Sequence, residues 1–307
     1  MKILVTGGAG FIGSHIVDTY VNHGHQVVVV DNLSTGNRVY LNPQATFYQM
    51  SILDEHLHEV IRDEKIEIVN HHAAQIKVKN SLEDPYFDVQ TNVLGTIHLL
   101  DVCRRTSVKK IIFASSGGAI YGEAAQGPLS ETHPVYPLSV YGVSKWSVEK
   151  YLEVFLKQFG LDYVILRYAN VYGPRQDASG EGGVVAIFIQ RMLMHQAISI
   201  YGDGFQRRDY VYVQDVAQAN LLALQYSEND IFNIATGIET SVNDLFLRIA
   251  ELTHYASQAQ HVQPRLGDIY RSVLDSSKAS QKLKWRPAVN LQQGLNDTIQ
   301  YYQSQAR

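Results

Sequence analysis

A short apolar run, Lys2-Ile3-Leu4-Val5, leads straight into Thr6-Gly7-Gly8-Ala9-Gly10-Phe11-Ile12-Gly13. This junction constrains the fold more than any other stretch of the chain. Glycines so spaced between a strand and a helix fit a dinucleotide fingerprint. Gly8, Gly10 and Gly13 read as the tight turn, the point of close pyrophosphate approach and the helix–strand packing position. Gly7, Gly10, Phe11, Ile12 and Gly13 then form a phosphate cradle at a helix N-terminus, where backbone N–H groups and the macrodipole both favour negative charge. A second apolar run, Gln26-Val27-Val28-Val29-Val30, ends at Asp31. An acid about 20 residues beyond the glycines accepts hydrogen bonds from a ribose 2′-OH. It also repels a 2′-phosphate, so the expected cofactor is NAD rather than NADP. The bland alternative is a glycine-rich turn in an α/β domain with no ligand. Strand, glycines, helix and acid falling in register argue against it.

The rest of the first half alternates. Strands are expected at Ile3–Thr6, Val27–Asp31, Ile66–His71, Lys110–Ser115 and Tyr163–Arg167, with helices between them such as Gly13–His23, Tyr86–Thr106 and Tyr141–Gly160. This pattern predicts an α/β fold, a Rossmann-like doubly wound parallel sheet with ligands at the carboxyl ends of its strands. After Arg167 the pattern changes. Gly, Pro and polar residues from Gly173 to Gly183 read as a loop, followed by a helix from about Val184 to Gln196. Strands at Tyr210–Val213 and Asp230–Ile234 flank a helix that Asp215 would cap. Two short helices and a Pro/Arg loop are expected after Ile238. With 307 residues there is room for two cores. The expected division gives residues 1–168 plus about 208–237 to NAD binding. About 169–207 plus 238–307 would form a smaller, discontinuous α/β substrate domain.

Charge and composition narrow the function classes. The net charge is −4 and no basic tract stands out, so nucleic acid is not an expected partner. No apolar run is long enough to span a bilayer, and the first strand follows Met1 with no leader pattern between. Cys103 is the lone cysteine, which excludes an intramolecular disulfide and fits a reducing cytoplasm. Its neighbours read as helix, so it is expected to pack in the core rather than act as a nucleophile. Among twelve histidines, His23/His25 and His56/His58 are two apart and His71-His72 follow a strand. None has ligand spacing with cysteines or carboxylates, and no metal site is expected.

The chemistry is expected around Tyr141-Gly142-Val143-Ser144-Lys145, at the start of a long helix. Tyr141 and Lys145 lie one turn apart on one face. A phenol near its usual value of about 10 is a poor base, and a nearby ammonium is expected to lower it. Upstream, Phe113-Ala114-Ser115-Ser116-Gly117-Gly118 leaves the end of a central strand, where a serine hydroxyl would reach the cleft. Base, tuner and hydrogen-bond partner then converge on a hydroxyl being oxidised. Taken singly, each motif is more often a helix pair or a turn. Behind the dinucleotide fingerprint, the set points to catalysis.

These motifs do not stand alone. The chain also carries Asp31-Asn32-Leu33-Ser34-Thr35-Gly36, His71-His72-Ala73-Ala74-Gln75, Thr91-Asn92-Val93-Leu94-Gly95-Thr96, Leu166 through Arg175, and Arg208-Asp209-Tyr210-Val211-Tyr212-Val213. Over nearly its full length it resembles the extended short-chain dehydrogenase/reductases of the NAD-dependent epimerase/dehydratase family, and among them most closely the UDP-glucose 4-epimerases. The resemblance implies reversible 4-epimerisation of a UDP-hexose through a 4-keto sugar, with UDP-glucose and UDP-galactose or their N-acetyl forms as substrates. It implies Tyr141 as the acid/base, Lys145 as its tuner and Ser116 as the partner of the sugar 4-hydroxyl. One residue is inserted between this serine and Tyr121 relative to many relatives, so Ser115 is the alternative. The cofactor would meet Asp31, Asn32, Ser34, Thr35, Gly36, Ala73, Ala74, Gln75, Asn92 and Tyr168. Ser51-Ile52 stands where many relatives have an acid–Ile pair at the adenine; Asp54 could serve only as a helix cap. On the substrate side the resemblance implies Asn170, Val184, Val185, Arg208, Arg265 and Asp268, with Ser272 gating the C2 substituent. It further implies a homodimer joined as a four-helix bundle. The alternatives are a 4,6-dehydratase, a decarboxylase or a UDP-uronate epimerase of the same family, or an inactive dinucleotide sensor. Gly117-Gly118 replaces the Asp-Glu pair of the dehydratases, and Ile120 precedes Tyr121 where a decarboxylase would carry glutamate. A sensor would lack the tyrosine or the lysine.

Overall fold

The computed structural model describes residues 1–123, 127–179, 183–264 and 269–305. The first half runs β1 (Lys2–Thr6), α1 (Phe11–Asn22), β2 (Gln26–Asp31), β3 (Thr46–Gln49), α2 (Leu57–Asp63), β4 (Ile68–His71), α3 (Val78–Glu83), α4 (Pro85–Asp88), α5 (Gly95–Arg104), β5 (Lys110–Ser116), α6 (Gly117–Ile120), α7 (Val140–Phe159) and β6 (Asp162–Tyr168). The second half runs β7 (Asn170–Tyr172), α8 (Val184–Leu193), β8 (Ser199–Tyr201), β9 (Arg207–Tyr212), α9 (Val213–Gln225), β10 (Asp230–Ile234), β11 (Glu239–Ser241), α10 (Val242–Thr253), β12 (Gln260–Val262), β13 (Arg271–Ser272) and α11 (Leu291–Gln305).

Seven parallel strands form the main sheet in the order β3-β2-β1-β4-β5-β6-β10. The order reverses between β1 and β4, which is where a doubly wound sheet opens its ligand crevice. Side chains alternate across each strand. Ile3, Val5, Val27, Val29, Ile112, Val164 and Leu166 pack in one core with residues of α1 and α9. Leu4, Val28, Val30, Ile111, Phe113 and Ile165 pack in another with residues of α2, α5 and α7. Both faces are apolar because both are covered, and this is why these strands read as continuous Val/Ile/Leu runs. A third core joins α8, α10 and α11 to the smaller sheet, in which β9 pairs with β7, β11 and β13.

Several elements differ from the sequence reading. Strand β3 was not expected; its residues are half exposed at the sheet edge and show no apolar run. The helix read as Tyr86–Thr106 is broken into α4, a π-helical stretch Val89–Leu94, and α5. The strand near Tyr210 joins the smaller sheet, so the chain returns to the main sheet through α9 and β10 rather than from 208. Asp215 does not cap α9. It lies in the first turn, and its carboxylate accepts from the N–H groups of Ala288 (3.0 Å) and Val289 (3.1 Å) of the tail. The tail helices are not short, at 12 residues for α10 and 15 for α11.

Candidate active site

The glycine loop is shaped by contacts a side chain would block. Gly7, not Gly8, makes the tight turn: its φ is +71°, and a Cβ there would lie 2.7 Å from the Ala73 nitrogen. A Cβ on Gly13 would lie 2.2 Å from the Gly7 oxygen, so α1 docks on the turn only with glycine at that position. Gly10 caps α1 without any side chain. The first N–H groups of the helix, at Phe11 and Ile12, therefore lack a side-chain acceptor, and a phosphate fits that need. Asp31 ends β2, and its carboxylate already holds the loop, accepting from Ala9 N–H (3.0 Å) and Leu33 N–H (2.8 Å). A Cβ on Gly36 would sit 2.8 Å from Asp31 Oδ1, so the Asn32–Gly36 loop closes directly over the acid, with Asn32, Ser34 and Thr35 exposed at the mouth. These residues fit NAD: a side-chain-free helix start for the pyrophosphate and a carboxylate with lone pairs remaining for a ribose.

At the expected adenine end, Ser51 and Ile52 are held by local contacts. Ile52 is buried, seated in the notch left by Gly95, and its carbonyl accepts from His98 Nδ1 (2.7 Å). Ser51 Oγ accepts from Leu53 N–H (3.1 Å), and Asp54 accepts from His56 N–H (2.9 Å) just ahead of α2. Tyr168 is likewise turned inward, because its phenol is buried between His72 Nε2 (3.0 Å) and Asn220 Nδ2 (2.9 Å).

The floor of the cleft is set after β4. The side chain of Asn92 grips the backbone of Gln75 at both ends, accepting from its N–H (2.8 Å) and donating to its C=O (2.9 Å). That grip fixes the Ala73-Ala74-Gln75 loop and coincides with the π-helical stretch. His71 bridges Thr6 Oγ1 (2.7 Å) and Thr96 Oγ1 (2.9 Å). Burial, with help from the charge of Lys145, lowers His71 well below its usual value and His72 to about 3, so both are neutral.

Helix α7 begins at a serine cap, Ser139, whose Oγ accepts from Gly142 N–H (3.1 Å), and ends at Gly160 in the left-handed region. A Cβ on Gly142 would lie 2.5 Å from the Ala119 oxygen, so its first turn docks against α6. This close approach brings Tyr141 to Ser116, whose hydroxyl favours the phenolate form of the tyrosine. Ser115 points the other way, donating to buried Glu149 Oε1 at 2.6 Å. Of the two serines, Ser116 therefore faces the cleft. Asn170 approaches from β7, its Oδ1 3.4 Å from where a Gly118 Cβ would stand.

The Lys145 ammonium lies 5.8 Å from the centre of the Tyr141 ring. It donates to the Ala114 carbonyl (2.9 Å) and lies 4.9 Å above the Phe113 ring. Burial pushes the Tyr141 phenol up to about 12, opposed by the nearby Ser116 hydroxyl and reinforced by the charge of Asp88. Burial also draws Lys145 down to about 8, with the charges of Asp88 and Glu149 opposing. The resting pair is thus a neutral phenol beside an ammonium.

The sequence pattern of a family described as NAD dependent epimerase/dehydratase matches residues 3–235. The chain is 40% identical over 313 residues to a UDP-glucose 4-epimerase of Mycolicibacterium smegmatis, covering all of both chains. Its fold matches a Thermotoga maritima UDP-glucose 4-epimerase crystallised with UDP-glucose at a TM-score of 0.98, with 49% identity and full coverage of both chains. A Thermus thermophilus UDP-glucose 4-epimerase in complex with NAD matches at a TM-score of 0.95, with 44% identity and 99% coverage of each chain. The chain belongs to the NAD-dependent epimerase/dehydratase family.

Of the residues expected to meet substrate, Val184 and Val185 open α8, whose Gly183 cap offers no side-chain acceptor. Arg208 lies on β9, where its Nη1 donates to the carbonyls of Arg207 (3.0 Å) and Tyr270 (3.3 Å). Ser272 is buried on β13, in register beside Arg208. Arg265 and Asp268 lie outside the described residues. Cys103 is fully buried, and burial raises its thiol. Among the described residues, no group of three His, Cys, Asp or Glu side chains is placed to hold a metal ion, and no helix is long and apolar enough to cross a membrane. The sequence reading missed two buried carboxylates. Glu149 forms a bidentate pair with Arg167 (3.0 and 2.6 Å), and Asp88 accepts from Ser144, Asn92 and Gln75. Glu149 was detectable as an acid one turn beyond Lys145 on the same face, and Asp88 as an acid one turn before Asn92.

Proposed function

We propose that this chain interconverts UDP-glucose and UDP-galactose by epimerisation at C4. The arrangement that carries this reading is Tyr141 beside Ser116, with the Lys145 ammonium one turn on and 5.8 Å from the tyrosine ring, at the end of β5 beside the glycine cradle. Ser116 holds the 4-hydroxyl, and Tyr141 Oη takes its proton as C4 is oxidised. Tyr141 gives the proton back when the 4-keto sugar, turned over in the cleft, is reduced on its other face. NAD, when bound, supplies the hydride acceptor, the returning hydride and a positive ring charge that favours the phenolate. Asn170, Val184, Val185, Arg208, Arg265 and Asp268 would hold the sugar nucleotide. Residues 1–168 with about 213–237 would serve the cofactor, and 169–212 with 238–307 the sugar nucleotide.

Dehydration is disfavoured at the same place. A Cβ on Gly117 would lie 2.4 Å from a methyl of buried Leu274, so no acidic side chain fits directly after Ser116 without repacking. The test is incubation with UDP-galactose and resolution of the products by NMR. UDP-glucose should form with no net NADH. Stoichiometric NADH formation would refute epimerisation and make the protein a dehydrogenase.

We further propose a homodimer in a reducing, cytoplasmic setting. Tyr86, Leu94, Val143 and Val154 leave exposed apolar side chains on the α4–α5 segment and on one face of α7, suited to a four-helix bundle with a second copy. Sedimentation should give a dimer that Val154→Asp splits; an unchanged mass for that variant would place the interface elsewhere.

A further inference from the structure

Asp88 is fully buried, yet no basic side chain bonds to it among the described residues. Its carboxylate accepts three hydrogen bonds, all from neutral groups. Ser144 Oγ donates to Oδ1 (2.6 Å), while Asn92 Nδ2 and Gln75 Nε2 each donate to Oδ2 (3.0 Å). Three donors satisfy the lone pairs, but they leave the charge uncompensated, and a buried charge is costly unless another opposes it. The nearby cation is Lys145, itself buried, bonded to a neutral carbonyl, and next in the chain to the Ser144 whose hydroxyl donates to Asp88. The other buried ion pair beside the site is closed, since Glu149 and Arg167 neutralise each other. Ser144, the residue that Asp88 grips, stands between Tyr141 and Lys145 on α7.

We propose that Asp88 is a positioning residue for the catalytic pair: it is the buried counter-ion of Lys145, and through Ser144 it anchors the turn of α7 that carries Tyr141 and Lys145. This inference rests on the epimerase reading. The charged and titratable groups facing the pair are Asp88 from α4, Glu149 from α7 with Arg167 from β6, His71 at the end of β4 and His72 just after it, and Tyr168 from β6. Both histidines are neutral and Glu149 is paired with Arg167, so among the described residues Asp88 is the carboxylate facing the pair with no basic side chain bonded to it. From α3, Lys79 and Glu83 pair with each other at the surface. The charge of Asp88 stabilises the Lys145 ammonium and opposes the Tyr141 phenolate. Removing that charge while keeping the shape should lower the pKa of both groups.

The test is the pH profile of kcat/KM for UDP-galactose in Asp88→Asn and Ser144→Ala holoenzymes. In Asp88→Asn both limbs should move to lower pH by roughly one unit, the scale of a nearby buried charge. In Ser144→Ala the charge remains, so the limbs should stay while kcat falls about tenfold as the turn loses its anchor. A second readout needs no substrate or cofactor: the phenolate absorbance that Tyr141→Phe removes should titrate at lower pH in the Asp88→Asn background. Unmoved limbs and an unmoved phenolate titration in folded Asp88→Asn would overturn the proposal. So would limbs that shift in Ser144→Ala, or a wild-type kcat in that variant, and these two results decide it even where Asp88→Asn does not fold. A wild-type protein with no epimerase turnover would instead refute the functional reading, leaving the phenolate titration to judge Asp88.

Discussion

Glu149→Leu tests whether the ion pair behind the active site is a structural necessity. Glu149 and Arg167 have side-chain exposures of 0% and 3%. The carboxylate accepts from Arg167 Nε and Nη2 and from Ser115 Oγ, while Arg167 Nη1 reaches the Tyr121 hydroxyl at 2.7 Å. Leucine in place of Glu149 leaves the guanidinium buried with a phenol as its main side-chain partner. Breaking a buried pair from one side costs about 3–5 kcal/mol. An unfolding entropy of ~2.1 cal/mol/K per residue over 307 residues gives ~0.6 kcal/mol per degree. The melting temperature should therefore fall by about 5–8 °C. The double variant Glu149→Leu/Arg167→Met should recover most of that loss, because it removes both desolvated charges together. Differential scanning calorimetry of the cofactor-free protein reads both. A single variant within ~1 °C of wild type, or a double variant melting as low as the single, would refute the reasoning.

Tyr141→Phe should lower kcat by at least ~10²-fold while keeping the fold and NAD content, and Ser116→Ala should lower kcat far more than Ser115→Ala. Steady-state kinetics with UDP-galactose check both, and near-wild-type turnover in Tyr141→Phe would remove it as the acid/base. Asp31→Ala should weaken NAD and NADP together, since the acid also holds the glycine loop, but the NAD:NADP affinity ratio should fall by calorimetric titration; an unchanged ratio would show that Asp31 does not select the ribose. If Ser272 gates the C2 substituent, Ser272→Tyr should lower the kcat/KM of UDP-GlcNAc relative to UDP-glucose at least about tenfold, a ~1.4 kcal/mol discrimination. The same ratio in both proteins would exclude that position as the gate.

What the sequence alone determined follows from local rules. The apolar runs of β1 and β2, the glycines between β1 and α1, and the one-turn spacing of Tyr141 and Lys145 are set by neighbours within a few residues, so strand, turn and helix face could be read directly. The edge strand β3 carried too little apolar pattern to be seen, and the helix through Asn92 turns π-helical where that side chain grips Gln75, 17 residues away. Tertiary structure alone decided which serine faces the cleft, because the answer depends on Glu149 taking the hydroxyl of Ser115 across 34 residues. It alone turned Ile52 and Tyr168 inward, toward Gly95 and Asn220. It alone placed Asp88 against Ser144, 56 residues apart. Burial then set the charge states, pushing Tyr141 up and Lys145 down, whereas spacing along a helix predicts only that the two meet. Spacing fixes which groups can touch; the desolvation and counter-charges that tune them come from chain segments that only folding brings together.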